Sequence, residues 1–402
     1  MQTVALGTLV TLQAHNALWT ALVLAAGFIP MGLLAPIGGL LADRLDRRTF
    51  LILTTLAEAA FAGLLAGLVA IHRDPPSLLV LLAFLGGSAG AIGFPSYQSM
   101  LPDLVRREHL LAAVSLSSAQ WNMGRVLGPA IAGIVLVTWN PAAAFAINAI
   151  SFGAVVIALV FVHLPHRERV RDGEGVLTRL VGGARVAARE PGCRSAIIMI
   201  SVVGLIGSPF IGLISVVAID GLHRKAGGPA ILTTAQGIGA VVGALALAPL
   251  AKRIGQGRIV IISLFSLTVA IILYGLAPNI WLAALGILLV GGTYIGVLSG
   301  MNTVVQLRAP EAARGRVLSL YMMALGTIYP IGLIIEGALG QAIGVRLMTV
   351  ISGIVLAVVL GGILWLSPST FHGLIEASGE QPADTMVAEV GEIDLAGDQT
   401  EA

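Results

Sequence analysis

Eleven apolar stretches follow one another near residues 19–41, 49–71, 77–99, 113–137, 142–163, 194–219, 229–250, 259–277, 280–303, 317–340 and 345–366. Each is about long enough to cross a bilayer as a helix. Lipid offers no hydrogen bonds to a bare backbone, so such a chain folds as packed helices. Composition agrees: 11% of the 402 residues are charged, against roughly 25% in soluble domains. The 50 glycines suit helices that pack closely through small residues. The expected fold class is an all-α membrane protein.

Ahead of these stretches, residues 1–13 are apolar as far as Gln13-Ala14-His15-Asn16. Thirteen helical residues cover about 20 Å, against a hydrocarbon core of about 30 Å. The expectation is a first helix truncated at its N-terminal half; a short, tilted or re-entrant segment is the alternative.

Basic residues favour the cytoplasmic side of a membrane protein. If residues 42–48 lie there, so do the loops at 100–112, 164–193, 251–258 and 304–316, together with the C-terminus. Counting Arg194 at a loop edge, that side holds 18 of the 23 Lys and Arg residues. Arg73, Arg224, Lys225 and Arg346 fall opposite, and Arg125 lies inside a span. This places the chain in the cell membrane as a multi-pass protein with a cytoplasmic C-terminus.

The longest internal loop divides the chain into a bundle at 1–163, a connector at 164–193 and a second bundle at 194–366. Val176–Arg189 in the connector reads as an amphipathic surface helix. The tail 367–402 has eight acids and no Lys or Arg, and reads as disordered. The halves repeat: Gln98-x-x-x-Pro102-Asp103-x-x-Arg106 recurs as Gln306-x-x-x-Pro310-Glu311-x-x-Arg314. Such duplication suggests two six-helix bundles related by a pseudo-twofold axis along the membrane normal, with a site between them.

The single cysteine, Cys193, rules out an intrachain disulfide and makes a Cys-based metal site implausible. A net charge of +2 gives no indication of nucleic acid. No phosphate-binding Gly-x4-Gly-Lys-Ser/Thr loop and no catalytic or metal-ligating constellation stands out, so neither ATP, a cofactor nor an enzyme activity is expected.

Between the first two full spans, residues 38–48 read Gly-Gly-Leu-Leu-Ala-Asp-Arg-Leu-Asp-Arg-Arg. The pattern Gly39, Asp43-Arg44, Arg47-Arg48 resembles the signature loop of the major facilitator superfamily of secondary transporters, with Asp46 where a glycine is usual. By that resemblance Gly39, Asp43 and Arg44 serve gating, and Arg47 and Arg48 mainly orientation. The run Gly124-Arg125-Val126-Leu127-Gly128-Pro129-Ala130-Ile131-Ala132-Gly133 resembles the fifth-helix motif of drug–proton antiporters, with Ala132 in place of one closing glycine. Pro129 removes a backbone bond, and Gly124, Gly128 and Gly133 permit close helix approach. Ordinary small-residue packing is the competing reading of that run.

Ionisable groups inside spans are costly and usually functional. Glu58, Arg125 and Glu336 are the proton-coupling candidates, since a carboxyl buried there can alternate between protonated and charged forms. Glu58 also reads as a helix-packing group, and Glu336 as a solvated residue near the outer surface. Asp220 falls at the outer end of its span. In the family the first, fourth, seventh and tenth helices line the cavity, which makes Tyr97, Gln98, Tyr294 and Asn302 the substrate-contact candidates.

The resemblance extends over residues 1–366. It is most like the branch of enterobactin exporters, macrolide efflux proteins and transmembrane secretion effectors. It implies a monomer in the lipid bilayer that exports a small amphipathic or hydrophobic molecule in exchange for protons. An uptake symporter, a membrane sensor without transport and a non-functional truncated chain stay open at this point.

Overall fold

The structure, a computed structural model, describes residues 1–100, 104–106, 109–162, 176–224, 227–310 and 313–376, apart from the side chains of some helical residues. The described residues are helical with short connections. The first group of helices is α1 (Gln2–Ala14), α2 (Ala17–Arg44), α3 (Arg47–Ala70), α4 (Pro76–Met100), α5 (Leu110–Thr138) and α6 (Pro141–Phe161). Helix α7 (Val176–Arg189) follows, within the connector. The second group opens with α8 (Pro191–Val202) and α9 (Phe210–Val216), each ending in a π-helical turn, Val203–Gly207 and Val217–Gly221. It continues with α10 (Gly227–Ile254), α11 (Gln256–Leu276), α12 (Ile280–Arg308), α13 (Arg314–Ile343), α14 (Val345–Leu366) and α15 (Pro368–Glu376).

Among the described residues, ten helical segments are long and apolar enough to span a membrane, with Pro191–Gly221 counted as one. Helix α5 runs over 29 residues, of which Leu127–Thr138 forms a shorter apolar stretch. Helix α1, at 13 residues, falls below spanning length. Polar caps fix where several helices begin. Asn16 accepts from the Leu18 and Trp19 amides, Asp46 from Thr49, Asn140 from Ala143 and Asn279 from Trp281 and Leu282. Each satisfies amides that no helix partner reaches.

Packing follows the duplicated plan. In the first group α2 lies on α4, and α3 on both α4 and α6. In the second, α10 lies on α12, and α11 on both α12 and α14. These are the same pairings after an exchange of halves, as a pseudo-twofold axis requires. Small residues make them possible. A Cβ on Gly87 would stand 2.2 Å from the Gly27 carbonyl oxygen in α2, and one on Gly291 would stand 2.1 Å from that of Gln236 in α10.

Helix α15 departs from the sequence reading, which has the chain unstructured from residue 367. It docks on the second group: Phe371 is buried and stacks on Phe265 at 6.1 Å, and Leu374 is buried beside it. Gly257 admits the α15 backbone, since a Cβ there would meet the Leu374 carbonyl oxygen at 2.0 Å. Two apolar side chains one turn apart outweigh the polar character of the segment.

Candidate transport pathway and its gates

Two faces of the molecule are distinguished by their turns. One, the basic face, carries the α2–α3 turn and its arginines. The opposite face carries the α1–α2 turn, the end of α13 and the start of α10. The most extensive contacts between the groups are α2 with α13 and α5 with α10, and an exchange of halves interconverts these two pairs.

Glycines bring these helices into contact. A Cβ on Gly32 would fall 2.2 Å from Thr327 Oγ1, and one on Gly337 would fall 2.4 Å from the Ala21 Cβ. A Cβ on Gly133 would fall 2.1 Å from the Ala230 Cβ. These approaches run from mid-depth to the opposite face. Toward the basic face the glycines turn elsewhere: Gly38 meets Ile92 of α4, and among the described residues Gly39 and Gly124 meet nothing within 4 Å. At the opposite face, His15 Nδ1 donates to Asp220 Oδ1 at 3.1 Å, and the Ala17 amide donates to Gln341 Oε1 at 2.7 Å. Both bonds run from the first group to the second.

At mid-depth the second group has a broken helix. The π-turn Val203–Gly207 runs into Ser208-Pro209, and the helix restarts at Phe210. The Ser208 hydroxyl donates to the Val203 carbonyl at 3.0 Å, and the Tyr294 hydroxyl donates to Ser208 Oγ at 3.0 Å. The Phe210 ring meets Tyr294 edge-on at 5.5 Å. Phe28 of α2 meets Tyr329 of α13 edge-on at 5.3 Å across the seam. Discontinuous helices at membrane depth mark binding sites in transporters.

The expected site residues disperse over this frame. Helix α2 extends through Asp43 and Arg44, whose side chains lie outside the described residues, as does that of Arg125. Arg48 donates through Nε to the Leu159 carbonyl at 2.8 Å and through Nη2 to Val160, and Arg47 donates to the Ser99 carbonyl at 3.4 Å. These two arginines therefore tie the start of α3 to the ends of α6 and α4. Asp46, the departure from the family pattern, caps α3.

The glycines of the two motifs differ in what they meet, and one expectation, a solvated Glu336, needs correcting. Gly38, one residue before Gly39, is the close-approach glycine of the loop. Among the described residues nothing lies within 4 Å of a Cβ added at Gly124, whereas one at Gly128 would stand 3.3 Å from the Met1 nitrogen and one at Gly133 2.1 Å from the Ala230 Cβ. Glu336 is not solvated: it is 5% exposed. It escapes water because Gly337 and Gly340 draw α13 against α2 and α14.

Pro129 is buried within α5, and its missing amide leaves the carbonyl of residue 125 without a helix partner. Glu58 lies in the α3–α4 seam, where its Oε1 would stand 2.7 Å from a Cβ on Gly90. Tyr97 joins α4 to α5 through its hydroxyl, 3.1 Å from Ser117 Oγ, and its ring packs on a cluster of Leu51, Met100 and Leu159. Gln98 is exposed, and Asn302 accepts from Gln306 one turn on. Pro102, Asp103 and Glu311 of the internal repeat lie outside the described residues. Sequence reasoning passed over Ser208, Tyr329 and the partnership of His15 with Asp220. The Ser208-Pro209 pair inside an apolar run was the one signal available for the broken helix.

A family model described as transmembrane secretion effector matches residues 1–386. The chain belongs to that family of major facilitator transporters. Curated relatives include the multidrug efflux pump Tap of Mycolicibacterium fortuitum, 27% identical over 83% of each chain. Macrolide efflux protein A of Streptococcus pyogenes is 24% identical over 85% of this chain and 86% of its own. The enterobactin exporter EntS of Escherichia coli is 28% identical over 79% of this chain and 75% of its own. Among solved structures, a bacterial homologue of the human lysosomal transporter Spinster, in an inward-facing and unoccupied conformation, superposes with a TM-score of 0.73. It covers 94% of both chains at 14% identity, which shows the fold. This major facilitator chain is a multi-pass membrane transporter and not an enzyme.

Proposed function

We propose that this transporter exports a small amphipathic or hydrophobic organic molecule across the cell membrane in exchange for protons, as a monomer, by alternating access. The two symmetry-related seams, α2–α13 and α5–α10, carry the reading. Both hold their close approaches toward one face, which is the geometry of a rocking pair of bundles caught at one end of its stroke. The relatives named as drug, macrolide and siderophore exporters support the direction and the substrate class.

The distribution of Lys and Arg supports placing the basic face and the C-terminus in the cytoplasm, which makes the described state inward-open. Glu336 is the proton carrier in this reading. Its neighbour Gly337 packs on α2, so parting of the seam changes the surroundings of the carboxyl. Asp43 and Arg44 stand at the end of α2 where the cytoplasmic gate closes, and Arg125 lies in the helix that forms the other seam. Tyr294 supports the substrate site from behind through Ser208.

Proteoliposomes loaded with a macrolide, a fluorescent cationic dye or a catecholate siderophore provide the test. Export of at least one under an imposed proton gradient, abolished by a protonophore, is expected. Gradient-independent behaviour of all three overturns the reading. Glu336→Gln should retain downhill flux and lose accumulation against a gradient; coupling equal to wild type removes Glu336 from the proton path.

A further inference from the structure

The opposite face holds a feature that neither the family motifs nor the substrate reading uses. Helix α1 ends at His15 in the left-handed conformation, with φ 44° and its amide bonded to the Thr11 carbonyl. That turn aims the imidazole across the seam. Asp220 sits in the π-turn Val217–Gly221, where the extra residue per turn changes the direction in which a side chain leaves the helix. A carboxylate accepts only, so Nδ1 of His15 carries the proton in the 3.1 Å bond. Two residues further on, the Ala17 amide at the start of α2 donates to Gln341 of α13.

We infer that His15–Asp220 and Ala17–Gln341 form an extracellular latch that holds the inward-open state and must break before substrate leaves. This rests on the alternating-access reading and on the basic face being cytoplasmic. The geometry of that face carries it. Both bonds connect the two bundles, and both lie at the end of the seams where the helices touch. A hollow of about 490 Å³ lined by His15, Asp220 and Gln341 gives water direct access to the bonds. A second hollow, of about 540 Å³, is lined by His15 and Asp220 together with His223 and Arg224. The His15 side chain is 67% and the Asp220 side chain 29% exposed, so water can replace the bond when the bundles part. The neighbouring cation Arg346 is engaged elsewhere, donating to the carbonyls of Gly275, Leu276 and Ala277.

Spin-label distances across the opposite face test the latch on the full chain. His72→Cys, between α3 and α4, and Pro278→Cys, between α11 and α12, place exposed labels on the two bundles. The native Cys193 is buried and stays unlabelled. His15→Ala and Asp220→Asn should each move the distribution to longer distances. The exchanged pair, His15→Asp with Asp220→His, should bring it back. Distributions identical to wild type in the single variants overturn the latch. If either single variant fails to fold, Gln341→Leu removes the second bond alone and must lengthen the distance; no change overturns the proposal. Distances need no substrate. A latch that responds in a protein without flux therefore counts against transport alone, and normal flux with unresponsive distances counts against the latch alone.

Discussion

At the scale of single residues, this protein is organised by where side chains are absent. Gly133 is a case at the seam between the groups, because any Cβ there falls 2.1 Å from the Ala230 Cβ across the α5–α10 contact. Gly133→Val should cost about 1–3 kcal/mol by overpacking, read as a lower melting temperature in detergent, together with reduced flux. Ala230→Gly in the same chain should recover most of both, and no recovery would mean that the contact is not the cause. Polar residues act through equally local geometry. Arg47 and Arg48 read in sequence as orientation signals, yet each also bonds carbonyls at the ends of neighbouring helices. Charge alone shows which side of a membrane a residue favours, not which helix end it reaches.

At the scale of elements, two departures from uniform spans matter. The segment Pro191–Gly221 is broken at Ser208-Pro209 just after one π-turn and ends in a second, with Tyr294 bonded into the break. Helix α15 is held to the second bundle by Phe371 and Leu374. Phe371→Ala should cost about 3–5 kcal/mol, the usual range for emptying a buried aromatic site. A melting temperature equal to wild type would show that α15 contributes nothing to stability. The helices themselves were legible in the chain because apolar length and polar caps are local signals. Helix α15 was not, because its stability comes from Gly257 and Phe265, more than a hundred residues away in sequence.

At the scale of the whole molecule, the exchange of halves accounts for both the internal packing of each bundle and the seams between them. Gly32 meets Thr327 and Gly326 through backbone atoms as well as a side chain, at 2.9 Å and 3.0 Å for an added Cβ. Gly32→Val should therefore bias the transporter toward states in which α2 and α13 are parted at that depth. Longer distances between labels at residues 72 and 278 check this, and an unchanged distribution refutes it.

The sequence by itself determined the membrane environment, the spanning stretches, the duplication and the family, since these depend on composition, run length and short motifs. Only the tertiary structure decided which glycine of the Gly38-Gly39 pair meets a neighbour, that Glu336 is buried, and that His15 reaches Asp220. Each of those facts depends on which helix faces which. That choice is made by packing between residues as far apart as 205 positions, as with His15 and Asp220, and it leaves no local pattern to read.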